Sequence, residues 1–332
     1  MPRWFTAAVA VLGLWSTPLL AQCTGDSLLD RLSETDRAEI AAAVAETPFA
    51  EGLFWRATKQ GREIRLVGTM HVHDPRHDSL MPRVETLLVG VERVFLELTP
   101  KEEAEVQSAM LADPARLFIT DGPTLPDLLD EDTWRALAEA ARARQIPPFT
   151  AAKFRPWYLS MSLAMPTCAM PDLLAGRRGL DHRIIGLAEA RGLPMQALEP
   201  WDTLFALMES GTEAEQLEML RLSIVPEDLQ AEMIVALLDG YFAESVAQVW
   251  EVSRVGARLV PGMDPDEAEA VFTEMQTSLL DTRNRNWMGV ITEGTAAHDV
   301  ILVAVGAAHL PGEAGLLSLL QAEGWTVSRV LE

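Results

Sequence analysis

Two short apolar runs, each ending in G-x-x-H, set the strongest constraint on how this chain can fold. Ile64-Arg65-Leu66-Val67 leads into Gly68-Thr69-Met70-His71, and Val300-Ile301-Leu302-Val303-Ala304-Val305 leads into Gly306-Ala307-Ala308-His309. Runs of this kind read as buried strands. A helix-like segment follows each His. Both imidazoles therefore sit where a strand gives way to a loop, and in an open α/β sheet ligands collect at the carboxyl ends of strands. If the two strands are neighbours, imidazoles from opposite ends of the chain can converge on one site. The expected fold class is α/β: a central, mostly parallel sheet with two strand–GxxH units and large helical insertions.

Further elements fit that frame. Residues 53–58 and 62–67 flank Lys59-Gln60-Gly61, a hairpin signal. Residues 93–98 read as a buried strand one β-α-β unit beyond His71, so they are expected to lie parallel and adjacent to the His71 strand. Glu97 stands out there as a carboxylate inside a core run. Residues 194–199 form a fourth strand candidate and 325–330 a closing one. Helices are expected over 26–46 and 82–91. Long helical insertions fall at about 101–165 and 202–293, within one α/β domain over 22–332. Asp264-Pro265-Asp266-Glu267 is a helix start, with a cap, a Pro in the first turn and acids at the positive end of the dipole. No repeat of 20–50 residues and no low-complexity segment is present.

Arg3 followed by the uncharged apolar stretch 5–20 reads as a secretory signal over residues 1–21, which places the mature protein in the periplasm or outside the cell. Sixteen apolar residues fall short of a comfortable membrane span, and no second candidate span follows. Leu20-Ala21-Gln22-Cys23 resembles a lipoprotein box, but Gln22 stands where a small residue is needed, so lipid anchoring at Cys23 is not expected. Cys23 and Cys168 are the two cysteines. In an exported chain they are most simply a disulfide, the alternative being two buried thiols. The formal net charge of −22 argues against nucleic acid and anionic membrane surfaces as partners. An apolar content of 48% is enough for a substantial core.

The motifs also carry a resemblance. G-T-M-H at 68–71, Glu97 on the next strand, G-L-D at 179–181, A-L-E-P at 197–200, R-N at 283–284 and G-A-A-H at 306–309 occur in that order. The set, spread over roughly residues 45–331, resembles the TraB/GumN family (TraB/PrgY/GumN), which is similar to the animal Tiki proteins. The resemblance implies a fold related to the erythromycin-esterase and ChaN-like groups. It also implies a metal-dependent, protease-like hydrolase site centred on His71, His309 and Glu97, with Arg283 as a supporting polar residue and Asn284 beside it. One departure is Pro200 after Glu199, where a Thr is expected, and no role is assigned to Glu199.

The residue types suit that chemistry. A hydrolytic metal needs two or three protein ligands and an open position for water, whose pKa it lowers. His71, His309 and Glu97 match a two-His, one-carboxylate set, with Glu97 completing the coordination or acting as general base. Nitrogen and oxygen donors without thiolate suit a divalent Mn, Co, Zn or Fe ion. Arg283 would bind a substrate carboxylate or a developing oxyanion. The expected substrate is a peptide or a small amide or ester. H-E-x-x-H, G-x-S-x-G, P-loop and G-x-G-x-x-G signatures are absent. His73, two residues past His71, reads equally as a solvent-facing loop residue or as a substrate or ligand contact, and His77 and His298 read as surface positions. His182 opens a helix beside Asp181, which is expected to cap it. The Met and Leu stripe after Arg155 reads as core. Two other functions compete: a periplasmic binding protein for peptide or haem on a ChaN-like scaffold, with His71 or His309 as axial ligand, and a catalytically silent scaffold in export or polysaccharide production.

Overall fold

The computed structural model describes residues 23–331, so the expected signal segment lies outside the described residues. Six strands form one sheet: β1 Phe54–Lys59, β2 Arg62–Thr69, β3 Arg93–Leu96, β4 Met195–Ala197, β5 Val300–Gly306 and β6 Thr326–Arg329. The sheet order is β4-β3-β5-β2-β1-β6. The first four in that order run parallel, while β1 is antiparallel to both β2 and β6. The fold is α/β, with a mostly parallel sheet and large helical insertions.

The period of two along each strand divides the core. Val67, Val94, Leu96, Leu302 and Ala304 face one layer, packed by the helices His77–Leu87 and Leu180–Ala190. Leu66, Phe95, Ile301, Val303 and Val305 face the other, packed by Thr282–Ala297 and Leu316–Ala322. The hairpin turns at Gln60 and Gly61, both with positive φ (51° and 83°), the geometry of a tight primed turn.

The expected adjacency of β3 and β2 is corrected. β3 is parallel to β2, but β5 lies between them and pairs with both. The reason is hydrophobic: β5 is uncharged throughout and buried at five consecutive positions, so it takes the centre of the sheet. Two helix boundaries also move. Residues 26–46 break into Leu28–Arg31 and Glu34–Glu46 because Ser33 and Asp36 form a new capping box. The helix expected at Pro82 starts at His77 and carries Pro82 inside.

The insertions pack around separate apolar clusters. One gathers Leu125, Leu137, Leu159 and Leu220, and another joins Leu28 and Ile40 to Leu229 and Val252. Among the described residues no helix is long and apolar enough to cross a membrane.

Cys23 and Cys168 form a disulfide, with Cα atoms 5.1 Å apart and a sequence separation of 145. It ties the start of the described chain to the middle of the sequence, just past the end of the first insertion. Replacing both with serine is expected to lower unfolding stability by about 2–5 kcal/mol, since a loop this long loses much closure entropy when crosslinked. Urea unfolding of the double variant against the oxidised parent measures it, and an unchanged midpoint would contradict it.

Candidate functional site

The two G-x-x-H loops leave adjacent strands side by side. Gly68 is in register with Val305, and Thr69 with Gly306. Gly68 is needed for close approach, and Gly306 marks where the site residues gather. A Cβ on Gly68 would meet Leu310 at 2.9 Å and Ala307 at 3.1 Å. A Cβ on Gly306 would lie 3.3 Å from Glu97 Oε1, 3.6 Å from His309 Cδ2 and 3.9 Å from His71 Nε2. Gly306 is thus the floor on which His71, Glu97 and His309 meet, at the carboxyl ends of β2, β3 and β5.

Arg283 is the hub of this cluster. It opens the Thr282–Ala297 helix, directly after a π-helical segment, Gln276–Asp281, a distortion common at functional sites. Its Nε donates to Glu199 Oε2 (3.0 Å), Nη2 to Glu199 Oε1 (2.6 Å) and Glu97 Oε2 (2.7 Å), and Nη1 to Leu279 O (3.0 Å) and His309 Nε2 (3.3 Å). A guanidinium has five N–H groups, and each has a partner here. Trp287, one turn on, stacks under the guanidinium at 4.7 Å and donates to Glu199 Oε2. Glu199, left without a role by the sequence, is the carboxylate that anchors Arg283 in the core.

His309 is buried, and its tautomer follows from its neighbours. Asn284 gives its amide nitrogen to Ala314 O (3.0 Å), so its Oδ1 accepts from His309 Nδ1 (2.7 Å). The Nε2 lone pair then faces Arg283. Burial, reinforced by the Arg283 charge, lowers its pKa to about 4 against the pull of Glu97. His309 is neutral at physiological pH.

His71 differs. Its side chain is 65% exposed. Nδ1 lies 3.1 Å from Asp181 Oδ2. That hydrogen bond raises its pKa to about 9; partial burial opposes the rise and Glu97 adds to it. Nε2 stays open toward Gly306. Asp181 is not a helix cap. The same Oδ2 reaches His182 Nδ1 (3.0 Å), and His182 Nε2 reaches Glu103 Oε1 (3.0 Å) in the first insertion. Burial would raise the Asp181 pKa, but its two imidazole partners hold it well below the ordinary carboxylate range. Likewise, burial pulls Glu97 upward, yet the charges of His309, His71 and Arg283, with the Gly306 N–H (2.7 Å), hold it near 2. At the pH where Glu97 titrates, His309 is itself protonated.

Asp181 is placed by Gly179. A Cβ there would fall 1.9 Å from Met70 O and 2.5 Å from His71 C, while Leu180 N–H donates to Met70 O (2.9 Å). Gly179→Ala is expected to push the helix off the His71 loop, at about 1–3 kcal/mol of stability. Urea unfolding reads the loss, and imidazole ¹⁵N spectra read release of the His71 Nδ1 hydrogen bond. An unshifted His71 resonance would contradict it.

The expected surface position of His77 is corrected. It is fully buried against Tyr241 and Phe242 (centroids 5.9 and 5.2 Å), and burial lowers its pKa to about 4. Tyr241 donates its hydroxyl to Gly68 O (3.0 Å), clamping the first G-x-x-H from behind. His298 is half-buried between Glu92 and Arg93. Asp181, Glu199 and Tyr241 were missed by sequence reasoning. The one available signal was a carboxylate within or beside an apolar segment, as at Leu198-Glu199.

As a metal site the cluster is incomplete in this arrangement. Glu97 Oε2 and His309 Nε2 are both turned onto Arg283 and Glu97 Oε1 accepts from the Gly306 N–H, leaving His71 Nε2 as the unengaged ligand atom of the set, fewer than a hydrolytic ion takes. Among the described residues, no group of three or more His, Cys, Asp or Glu is placed to hold a metal ion. All of the Arg283 N–H groups are taken by protein partners, Glu97 and His309 among them.

No curated protein and no solved structure matches the chain. The family model of the TraB/PrgY/gumN family matches residues 53–329, which takes in all six strands and both G-x-x-H loops. The chain therefore belongs to the TraB/PrgY/gumN family.

Proposed function

We propose that the protein is an exported hydrolase, acting in the periplasm or outside the cell on peptide, amide or ester bonds. The observation that carries this reading is the gathering of His71 Nε2, Glu97 Oε1 and His309 around Gly306, at the end of the sheet where ligands bind in open α/β folds. Roles follow from protonation. His71, held as imidazolium by Asp181, presents an acidic Nε2–H to the leaving atom of the substrate. Glu97 stays ionised and, as general base, takes the proton that the attacking water gives up as its oxygen bonds the acyl carbon, while the His71 proton goes to the leaving atom as its bond to that carbon breaks. Arg283, Glu199, Asn284 and Trp287 fix Glu97 and His309 in place.

A divalent Mn, Co, Zn or Fe ion remains part of the proposal only with Arg283 withdrawn, and no step above uses one. The Asp181–His71 contact supports keeping it, because metal-ligating imidazoles characteristically give their other N–H to a carboxylate. The same contact supports the binding reading, with haem on His71. His309 is unsuited to that role, since both its nitrogens are engaged.

The test is turnover by the purified mature protein on unfolded polypeptide, aryl amides and aryl esters, with and without each ion. Loss of turnover in His71→Ala and Glu97→Gln, with unchanged circular dichroism, is expected. Equal turnover in both variants overturns the site. Stoichiometric ion binding that persists in His71→Ala removes the metal from it. A visible band on adding haem, lost in His71→Ala, favours binding instead.

A further inference from the structure

We propose that one ordered water, held by Thr69 Oγ1, His77 Nε2 and Asp181 Oδ1, backs the first G-x-x-H loop, and that His77 acts through it as a positioning residue for His71. This deepens the hydrolase reading and rests on it for the effect on turnover. The water, and its effect on the His71 hydrogen bond, are scored without turnover.

Buried polar atoms are almost always paired with protein or with ordered water. Five enclosed side-chain atoms have no hydrogen-bond partner among the described residues. Two are the Nε atoms of Arg83 and Arg329, whose guanidiniums both grip Glu244. The other three are Thr69 Oγ1, His77 Nε2 and Asp181 Oδ1, and the contacts around them draw their residues to one place. Tyr241 packs on the His77 ring and donates its hydroxyl to the carbonyl of Gly68, the residue before Thr69. Leu180, the residue before Asp181, donates its N–H to the carbonyl of Met70, the residue after Thr69. Arg183 pairs with Asp78 at 2.6 Å, tying the helix start that carries Asp181 to the helix start that carries His77. The Asp181 charge is felt at both His77 and Tyr241. Thr69 and His77 are 3% and 0% exposed, so bulk solvent reaches neither.

Hydrogen-bond character selects the occupant. The Asp74 N–H donates to His77 Nδ1 (3.4 Å) and burial keeps the ring neutral at physiological pH, so the ring proton sits on Nε2. That Nε2–H is a donor and repels a cation. Asp181 is ionised, so its Oδ1 is an acceptor and repels an anion. The Thr69 hydroxyl takes either part. A small neutral molecule that accepts on one side and donates on the other satisfies all three atoms, and a buried water makes about three such bonds.

The consequence for the site runs through Asp181. Its Oδ2 is shared between His71 Nδ1 (3.1 Å) and His182 Nδ1 (3.0 Å). Held by that oxygen alone, the carboxylate turns on a soft terminal torsion. A water fixed by His77 and Thr69 pins Oδ1 and so aims Oδ2 at His71.

The test uses the full mature protein. A crystal structure that resolves ordered waters is expected to show one within about 3.2 Å of all three atoms, and water-to-protein cross-relaxation is expected at the His77 Nε2–H. His77→Gln returns an N–H near the same place and should keep the water, whereas His77→Met fills the space without a donor and should lose it. In His77→Met the ¹⁵N shift of His71 Nδ1, read through the ring C–H protons, should move as that hydrogen bond loosens. kcat/KM should fall about tenfold, the size of one hydrogen bond, and His77→Gln should restore both. A purely structural His77 would leave the His71 shift unmoved, and that result overturns the proposal. So does a direct His77–Asp181 contact, or a dry site, in the unaltered protein. The last two measurements need no variant, so they stay decisive if His77→Met folds poorly. A water in place and a shifted His71 signal, without turnover by the parent protein, would sink the hydrolase reading and leave the water standing.

Discussion

Arg283→Met is expected to lower the free energy of unfolding at pH 7 by about 3–5 kcal/mol, the range for breaking one side of a buried ion pair. The guanidinium supplies all five of its N–H groups to neighbours, two carboxylates among them. Glu199 and Glu97 side chains are only 5% and 15% exposed. Methionine keeps most of the volume but leaves Glu97 and Glu199 without the cation that bridges them. Lysine restores the charge through a single ammonium that cannot form the paired contacts to Glu199, so Arg283→Lys should recover only part of the loss. The pH dependence identifies the cause. In the parent protein Glu97 titrates near 2, below its ordinary 4.5. It therefore contributes stability that is fully present above about 4.5 and is lost as pH falls toward 2. Without Arg283 the Glu97 pKa moves up, so the variant's penalty is relieved as pH falls. The gap between parent and variant should narrow between pH 7 and pH 4 in urea unfolding. A gap of constant size would mean that lost packing, not unpaired charge, destabilises the variant.

This hub also shows where sequence reasoning reaches its limit. The strands bearing the two G-x-x-H motifs were legible because apolar runs and turn residues are local signals, and β2 and β5 do pair in parallel. The place of β3 was not, because adjacency between strands some 200 residues apart depends on which run is the most apolar overall, and β5 claims the middle of the sheet. Glu97, His71 and His309 were singled out from strand ends, a carboxylate in a core run and the family resemblance, and the three do lie together around Gly306. Arg283 could be read equally as a surface helix residue, since its burial depends on Glu97 and Glu199, which arrive from two separate loops. Asp181 looked like a cap because caps and first-turn acids share a local pattern. Its contact with His71 exists only because Gly179 lets a helix start press on the His71 backbone. His77 was misplaced for the opposite reason: a polar loop context hid a ring enclosed by two aromatic residues contributed from a distant helix.

If the hydrolase reading holds, His71→Ala should lower kcat/KM by about 10²–10⁴-fold, the usual contribution of a positioned general acid. The pH profile gives a sharper prediction. The proposed role needs His71 protonated, and its pKa stands at about 9. Activity should therefore persist through neutral pH and decline as pH rises past 9. The largest cause of that raised value is the hydrogen bond that His71 Nδ1–H donates to Asp181. Asp181→Asn keeps the shape and removes the charge, so the declining limb should move down toward the ordinary imidazole value of 6.5. Stability should shift in the same sense. A raised His71 pKa contributes stability that is complete below 6.5 and is lost as pH climbs through 9, so Asp181→Asn should cost more at pH 6 than at pH 10. Two independent measurements, kcat/KM against pH and urea unfolding at the two pH values, then address one contact. A limb that stays near 9 in Asp181→Asn would mean that another group supplies the proton, and His71 would be left as a binding residue beside an ionised Glu97.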